Sequence, residues 1–278
     1  MIVYVDGHYV DEEHAAVSIN DRGLLFGDAV FETGLLRNGG FFRLQQHLQR
    51  FAASAAMLRL DHGSLAELEG IVHRLARDNQ LADGNLRITL TRGVRTPCLI
   101  VSIRPSDPGW IERARRGWSI VTARTRRPSI AAAPAQLKAI GRTYALLARI
   151  EAAAARADDA LLLTDHEMVC EGPSWNVFWR RGNTLFTPSP DTGVLIGVTR
   201  SVVLDLAADA GFDIHEGTFP RSHLDDADEV FATMTSVGIV SIRRLDQHSL
   251  PASTPAADAL QPRYWTIVDA ECAADRRA

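Results

Sequence analysis

The sequence predicts an α/β chain of the α+β kind, with a small N-terminal α+β domain followed by a larger, β-rich C-terminal domain flanked by helices. Three features lead there. Short alternating runs broken by turn residues open the chain; a 4-3-4-3 apolar spacing sets in at Leu44; and a basic, Ala/Pro-rich passage precedes a second series of strand-like runs. That passage lies between Arg113 and Gln136, so the domains are read as residues 1–115 and 121–278.

Taken in order, Val3, Val5 and Tyr9 alternate around Asp6-Gly7, and Ala29–Leu36 ahead of Arg37-Asn38-Gly39-Gly40 repeats this hairpin chemistry. Leu44, Leu48, Phe51, Ala55 and Leu58 share one helical face, with Arg50 off that stripe. A second helix covers Leu65–Arg77, and strands follow near Leu86–Thr91 and Leu99–Ile103 before Pro105, Pro108 and Gly109 break the pattern. Past the strand Trp118–Ala123 come a helix over Thr143–Ala157 and strands over Ala160–Thr164 and Met168–Cys170, the last leading into Glu171-Gly172. Val177–Arg180 and Thr184–Thr187 flank the turn Arg181-Gly182-Asn183, Pro188–Gly197 loops into a helix over Thr199–Ala210, and Glu229–Thr233 is a buried strand. The final residues read as polar, with no further element assigned.

Composition narrows the function classes. A formal charge of −4 leaves no basic surplus for a phosphate backbone, so a small ligand is a better expectation than nucleic acid. No run of 18 apolar residues and no signal-like start occur, which suggests a cytoplasmic protein without a membrane partner. Cys98, Cys170 and Cys272 are too widely spaced for a metal pair and read as inert thiols, and the nine histidines form no metal-binding motif.

Of the 30 basic residues, 29 are arginine and one is lysine, Lys138. An arginine bias explains the 29 but not the survivor. A guanidinium cannot act as an amine nucleophile near neutral pH, whereas a desolvated lysine can form a Schiff base. Other polar groups stand where a ligand could use them. Gly197-Val198-Thr199-Arg200 opens a helix that Thr199 is placed to cap, an anion site if occupied and an ordinary cap if not. Thr233-Met234-Thr235-Ser236 is a hydroxyl-rich turn after a buried strand, Glu171 sits at a strand end, and Arg50, one turn from His47, is either a phosphate fork or a solvated helix face.

Together these residues resemble the fold-type IV pyridoxal-phosphate enzymes, which comprise branched-chain and D-amino-acid aminotransferases and aminodeoxychorismate lyase. The likeness runs nearly end to end: Asp21–Thr33, His47–Arg50, Lys138 with Leu147-Ala148-Arg149, Glu171–Phe178, Thr187-Pro188, Gly197–Arg200 and Ala227–Phe231. It implies that Lys138 holds pyridoxal 5′-phosphate and shuttles a proton between the substrate Cα and the cofactor C4′. Glu171 would face the pyridine nitrogen; Arg50, the Val198 and Thr199 amides, Thr235 and Ser236 would hold the phosphate; Asn176 would support this shell. A homodimer is implied as well.

The resemblance divides on substrate. Phe31 matches the branched-chain and lyase subgroups, and Thr33 the lyase. The Arg-x-His pair of D-amino-acid enzymes is absent, with Arg95 as a substitute carboxylate partner, and Thr143 stands where branched-chain enzymes carry tyrosine. The implied activity is an aminotransferase moving an amino group from a D- or branched-chain amino donor, or a primary amine, to a 2-oxo acid. A carbon–carbon lyase is the alternative, and a non-catalytic binder of a phosphorylated metabolite a third reading.

Overall fold

The computed structural model describes residues 1–132, 134–251 and 253–276. Contacts divide it into two units: one holds Met1–Ser106, Leu137–Gly141 and the chain from Ile267 onward, the other Asp107–Gln136 and Arg142–Thr266. Where the sequence suggests one cut between residues 115 and 121, the chain therefore changes unit four times. Leu137–Gly141 joins the first unit because its backbone pairs with that unit's sheet, as described below.

The first unit is a six-stranded antiparallel sheet in the order β2-β1-β6-β5-β3-β4, made of β1 (Ile2–Val5), β2 (His8–Asp11), β3 (Ala29–Arg37), β4 (Gly40–Phe41), β5 (Gly84–Thr91) and β6 (Cys98–Arg104). Both expected hairpins form. Their turns need positive φ, and Asp6-Gly7 (45° and 90°) and Asn38-Gly39 (52° and 81°) tolerate it. A short helix α1 (Arg22–Phe26) is capped by Asp21, whose carboxylate accepts from the Gly23 and Leu24 amides. Helices α2 (Leu44–Met57) and α3 (Leu65–Asp78) cover one face of the sheet, burying Leu44, Leu48, Phe51, Leu68, Val72 and Leu75 with Val30, Leu36, Leu86 and Ile88. On β3 the strand period of two sends Val30, Glu32 and Leu36 toward that core and Phe31 and Thr33 to the opposite face.

The second unit is a nine-stranded sheet that closes on itself. Its strands are β7 (Trp118–Thr122), β8 (Asp159–Leu163), β9 (Val169–Glu171), β10 (Asn176–Arg181), β11 (Thr184–Pro188), β12 (Asp213–Gly217), β13 (Glu229–Met234), β14 (Gly238–Leu245) and β15 (His248–Ser249). Order β12-β11-β10-β13-β14-β7-β8-β9 would leave β9 at an edge, but β9 also pairs with β10, which makes a barrel and places Asn176 directly opposite Glu171. Trp118, Trp175, Trp179, Val177 and Ile242 fill its core. Helices α4 (Pro108–Arg116), α5 (Thr143–Ala154) and α6 (Val198–Asp209) accompany it, and α7 (Pro255–Asp275) starts in this unit.

Two of the elements absent from the sequence reading, α4 and α7, have plain local causes. Pro105, Pro108 and Gly109 read as breaks in structure, yet Pro108 is the first residue of α4, where a missing N–H costs nothing, and Asp107 caps it by accepting from Gly109 N–H at 2.8 Å. The polar C-terminal stretch is the 21-residue helix α7, whose buried stripe Ala256, Leu260, Tyr264, Val268 and Cys272 is masked by small residues and Pro262. No helix among the described residues is long and apolar enough to cross a membrane.

Candidate active site

Lys138 sits in the first unit on a pinned backbone. Its N–H donates to Ser54 Oγ at 3.2 Å, its carbonyl accepts from Phe31 N–H at 2.9 Å, and Ile140 N–H reaches the Ala29 carbonyl at 2.9 Å, so residues 138–140 add a short bridge beside β3. The Lys138 Nζ lies 4.9 Å from the centre of the Phe31 ring. On the same ring stacks a second cation, Arg87 of β5, with its guanidinium carbon 3.7 Å from the centre. Arg87 pairs opposite Thr33 and Thr89 opposite Phe31, so Phe31, Thr33, Arg87 and Thr89 line one face of the sheet. Arg95, expected to read a carboxylate, is exposed on the β5–β6 loop.

Beneath β3 lies a buried charge cluster built by a ridge of α2 beside the apolar stripe: His47, Arg50 and Ser54 at helical spacing. Arg50, readable from the sequence as a phosphate fork or a solvated face, is part-buried and forks onto Glu32, with Nε to Oε2 at 2.9 Å and Nη2 to Oε1 at 2.7 Å. His47 Nδ1 lies 3.2 Å from Glu32 Oε1. Burial by itself would raise the Glu32 pKa, but the charges of Lys138 and Arg50 and the hydrogen bonds from His47 and Arg50 override it and hold the carboxyl well below the usual range. Burial pushes the His47 imidazole pKa down against the upward pull of Glu32.

In the second unit, barrel closure sets Glu171 and Asn176 side by side, and both grip the loop ahead of α6. Glu171 Oε2 accepts from Leu195 N–H at 3.0 Å, while Asn176 Nδ2 donates to the Leu195 carbonyl at 2.8 Å. Gln136 brackets the same loop through the Val194 carbonyl and the Ile196 N–H. The loop delivers α6 with Gly197, not Thr199, at its N-cap and no side-chain cap. Thr199 lies inside the first turn, its hydroxyl 3.5 Å from that of Tyr264. The N–H groups of Val198 and Thr199 have no carbonyl one turn back, as at any helix start. Thr235 and Ser236 form the half-buried turn joining β13 to β14, and the neighbouring Thr233 hydroxyl is buried without a hydrogen-bond partner. Glu171 Oε1 accepts from Arg127 Nε at 3.0 Å. Burial holds the cysteine thiols protonated, with Cys98 pushed up to about 11 and Cys272 to about 12.

Glu32, Ser54, Arg87 and Arg127 escape a reading of the sequence. The signal available for Glu32 is a lone carboxylate within the apolar run Ala29–Leu36; for the others there is none, because their partners Lys138, Phe31 and Glu171 are 44 to 84 residues away in the chain.

These placements acquire meaning from relatives of known kind. Residues 29–245 match the family Amino-transferase class IV. The chain belongs to that family. As a class IV aminotransferase it is 33% identical over 257 residues to a Methanocaldococcus jannaschii protein provisionally named a branched-chain-amino-acid aminotransferase, with 88% of each chain covered. It is 33% identical over 261 residues to the D-alanine aminotransferase of Listeria monocytogenes, again 88% of each, and 28% identical over 277 residues to the aminodeoxychorismate lyase of Bacillus subtilis, covering 95% and 93%. The T.th. branched-chain amino acid aminotransferase, complexed with N-(5′-phosphopyridoxyl)-L-glutamate, superposes with a TM-score of 0.89 at 26% identity, over 96% of this chain and 94% of that one. The fold is that of fold-type IV pyridoxal-phosphate enzymes, and pyridoxal 5′-phosphate is the cofactor typical of class IV transaminases. Each unit by itself holds residues that fit that group: the first an amine on a pinned backbone, the second a buried carboxylate suited to a protonated ring nitrogen, an uncapped helix start suited to a phosphate, and an unpartnered buried hydroxyl.

Proposed function

We propose that this class IV transaminase moves an amino group from a D- or branched-chain amino acid, or a primary amine, to a 2-oxo acid. The observation that carries the reading is Lys138, the chain's one lysine, held at both its N–H and its carbonyl beside the face of Phe31, Thr33 and Arg87. Pyridoxal phosphate, when bound, supplies a ring that accepts electrons from the substrate Cα. Lys138 Nζ would hold the cofactor and would carry the proton between the substrate Cα and the cofactor C4′. Glu171 would accept from the ring N–H. The Val198 and Thr199 amides, Arg50, Thr235 and Ser236 would hold the phosphate, and Asn176 would orient the start of α6 through its grip on Leu195.

Phe31, Thr33 and Arg95 serve the substrate, and Arg87 joins them because it is the cation stacked beside the lysine's own ring contact. Arg87→Ala is expected to raise KM for 2-oxoglutarate about 10- to 100-fold, the value of one charge-assisted hydrogen bond, with less effect on pyruvate. Equal losses with both acceptors would remove Arg87 from this role.

Likeness to the Bacillus subtilis lyase over nearly the whole chain favours a second reading, carbon–carbon cleavage. The deciding experiment mixes holoenzyme with paired D- and L-amino acids and both enantiomers of 1-phenylethylamine, then with pyruvate or 2-oxoglutarate. A donor-dependent change to the pyridoxamine spectrum supports transamination; no change with any donor, together with pyruvate release from aminodeoxychorismate, overturns it.

The protein works as a homodimer in this reading. Ile19, Leu24 and Phe26 around α1 are 78%, 66% and 68% exposed, more apolar surface than water tolerates well. Sedimentation is expected to give twice the 30.5 kDa of one chain, and a lone-chain mass at micromolar concentration would sink the idea.

A further inference from the structure

We infer that Arg127 is a positioning residue of the cofactor site, one that sets through Glu171 how firmly the ring nitrogen keeps its proton. The inference rests on the assignment of Glu171 to that nitrogen. Arg127 lies in the segment after β7 with only 5% of its surface exposed, and its backbone N–H is tied to the Leu163 carbonyl at the end of β8 at 2.8 Å. Its side chain is held from three sides. Nε donates to Glu171 Oε1 at 3.0 Å, Nη2 points to the Ala135 carbonyl at 3.5 Å, and the guanidinium carbon stands 5.0 Å from the centre of the Tyr144 ring. Glu171 thus has a guanidinium on one oxygen and a backbone N–H on the other, so its rotamer is set before any ligand arrives.

The chemical consequence follows from electrostatics at low dielectric. An unpaired buried carboxylate attracts a proton strongly; one that already faces a guanidinium attracts it less. The proton shared between Glu171 and a pyridine nitrogen is therefore bound more weakly than it would be by the carboxylate alone. Other charged or titratable groups near Glu171 are Arg142 and Tyr144 at the start of α5 and the Cys170 thiol on its own strand. Arg127 meets the carboxylate directly, Nε to Oε1 at 3.0 Å.

The test reads the ring nitrogen itself. Holoenzyme loaded with 15N-labelled pyridoxal phosphate is followed by NMR against pH for the wild type, Arg127→Lys, Arg127→Met and Glu171→Gln. Arg127→Met is expected to raise the pH at which the nitrogen loses its proton by about one unit, a tenfold gain in proton affinity, whereas Arg127→Lys keeps the charge and restores most of the wild-type titration. Overlay of Arg127→Met on the wild type, in a sample whose circular dichroism is native, overturns the inference. If Glu171→Gln also overlays, the assignment of Glu171 falls instead. Should Arg127→Met not fold, the double variant Arg127→Met/Glu171→Gln removes both charges and avoids the unpaired carboxylate. On that background, loss of Arg127 is expected to leave the Glu171→Gln titration unmoved, and a further shift would show that Arg127 does not act through Glu171.

Discussion

Lys138→Arg is expected to abolish transamination while leaving the protein folded. Arginine keeps the cation that the buried Glu32 carboxylate interacts with, and the backbone contacts to Ser54 and Phe31 do not involve the side chain. What it removes is the amine. A guanidinium stays protonated near neutral pH and neither condenses with an aldehyde nor relays a proton. Loss of the relay alone lowers kcat about 10²- to 10⁴-fold, and loss of covalent attachment adds to it. The checks are steady-state turnover and borohydride trapping followed by mass spectrometry. Wild type gains the mass of one reduced cofactor on the peptide containing residue 138, and the variant gains none. Turnover by the variant at the original rate, or trapping on another residue, overturns the assignment of every other site residue with it.

Glu32→Ala is expected to give the largest loss of stability of any single change near the site, about 3–5 kcal/mol, the cost of breaking a buried ion pair and leaving its partner uncompensated. Glu32 and His47 are fully buried and Arg50 is nearly so, which denies water the chance to replace the lost carboxylate. The sign of the pH dependence follows from its depressed pKa. In the unfolded chain the carboxyl titrates near 4.5, in the folded one well below that. Its contribution is therefore complete above about pH 4.5 and is lost as the pH falls from there toward the folded-state value. Denaturant midpoints of wild type and variant should lie far apart at pH 7 and converge toward pH 3. A gap of constant size across that range would mean that the cavity, not the charge, accounts for the loss.

How much of this was legible in the sequence depended on how local the cause was. The Asp6-Gly7 and Asn38-Gly39 turns and the stripe from Leu44 announce themselves because turn chemistry and helical spacing are written within ten or so residues. Helices α4 and α7 were hidden for the same reason in reverse: a proline usually breaks a helix but can also begin one, and a stripe of alanines, one tyrosine and a cysteine has little hydrophobic contrast. Arg50 shows the limit at the site. Its residue type suited a phosphate, its position suited solvent, and its guanidinium forks onto a carboxylate 18 residues earlier that no spacing rule connects to it.

By itself the sequence determined the chemistry available to this protein: one side-chain amine among 29 guanidinium groups, a carboxylate at a strand end, and a helix start of the kind that binds anions. Tertiary structure alone decided which charges meet. Closing the barrel set Glu171 against Asn176, the strand period turned Glu32 under α2 and Phe31 the other way, and the 138–140 bridge tied the lysine to β3. The physical reason is one of range. Propensity and capping act over a few residues and can be read along the chain, whereas an ion pair has strength only where burial removes water, and burial is a property of the folded whole.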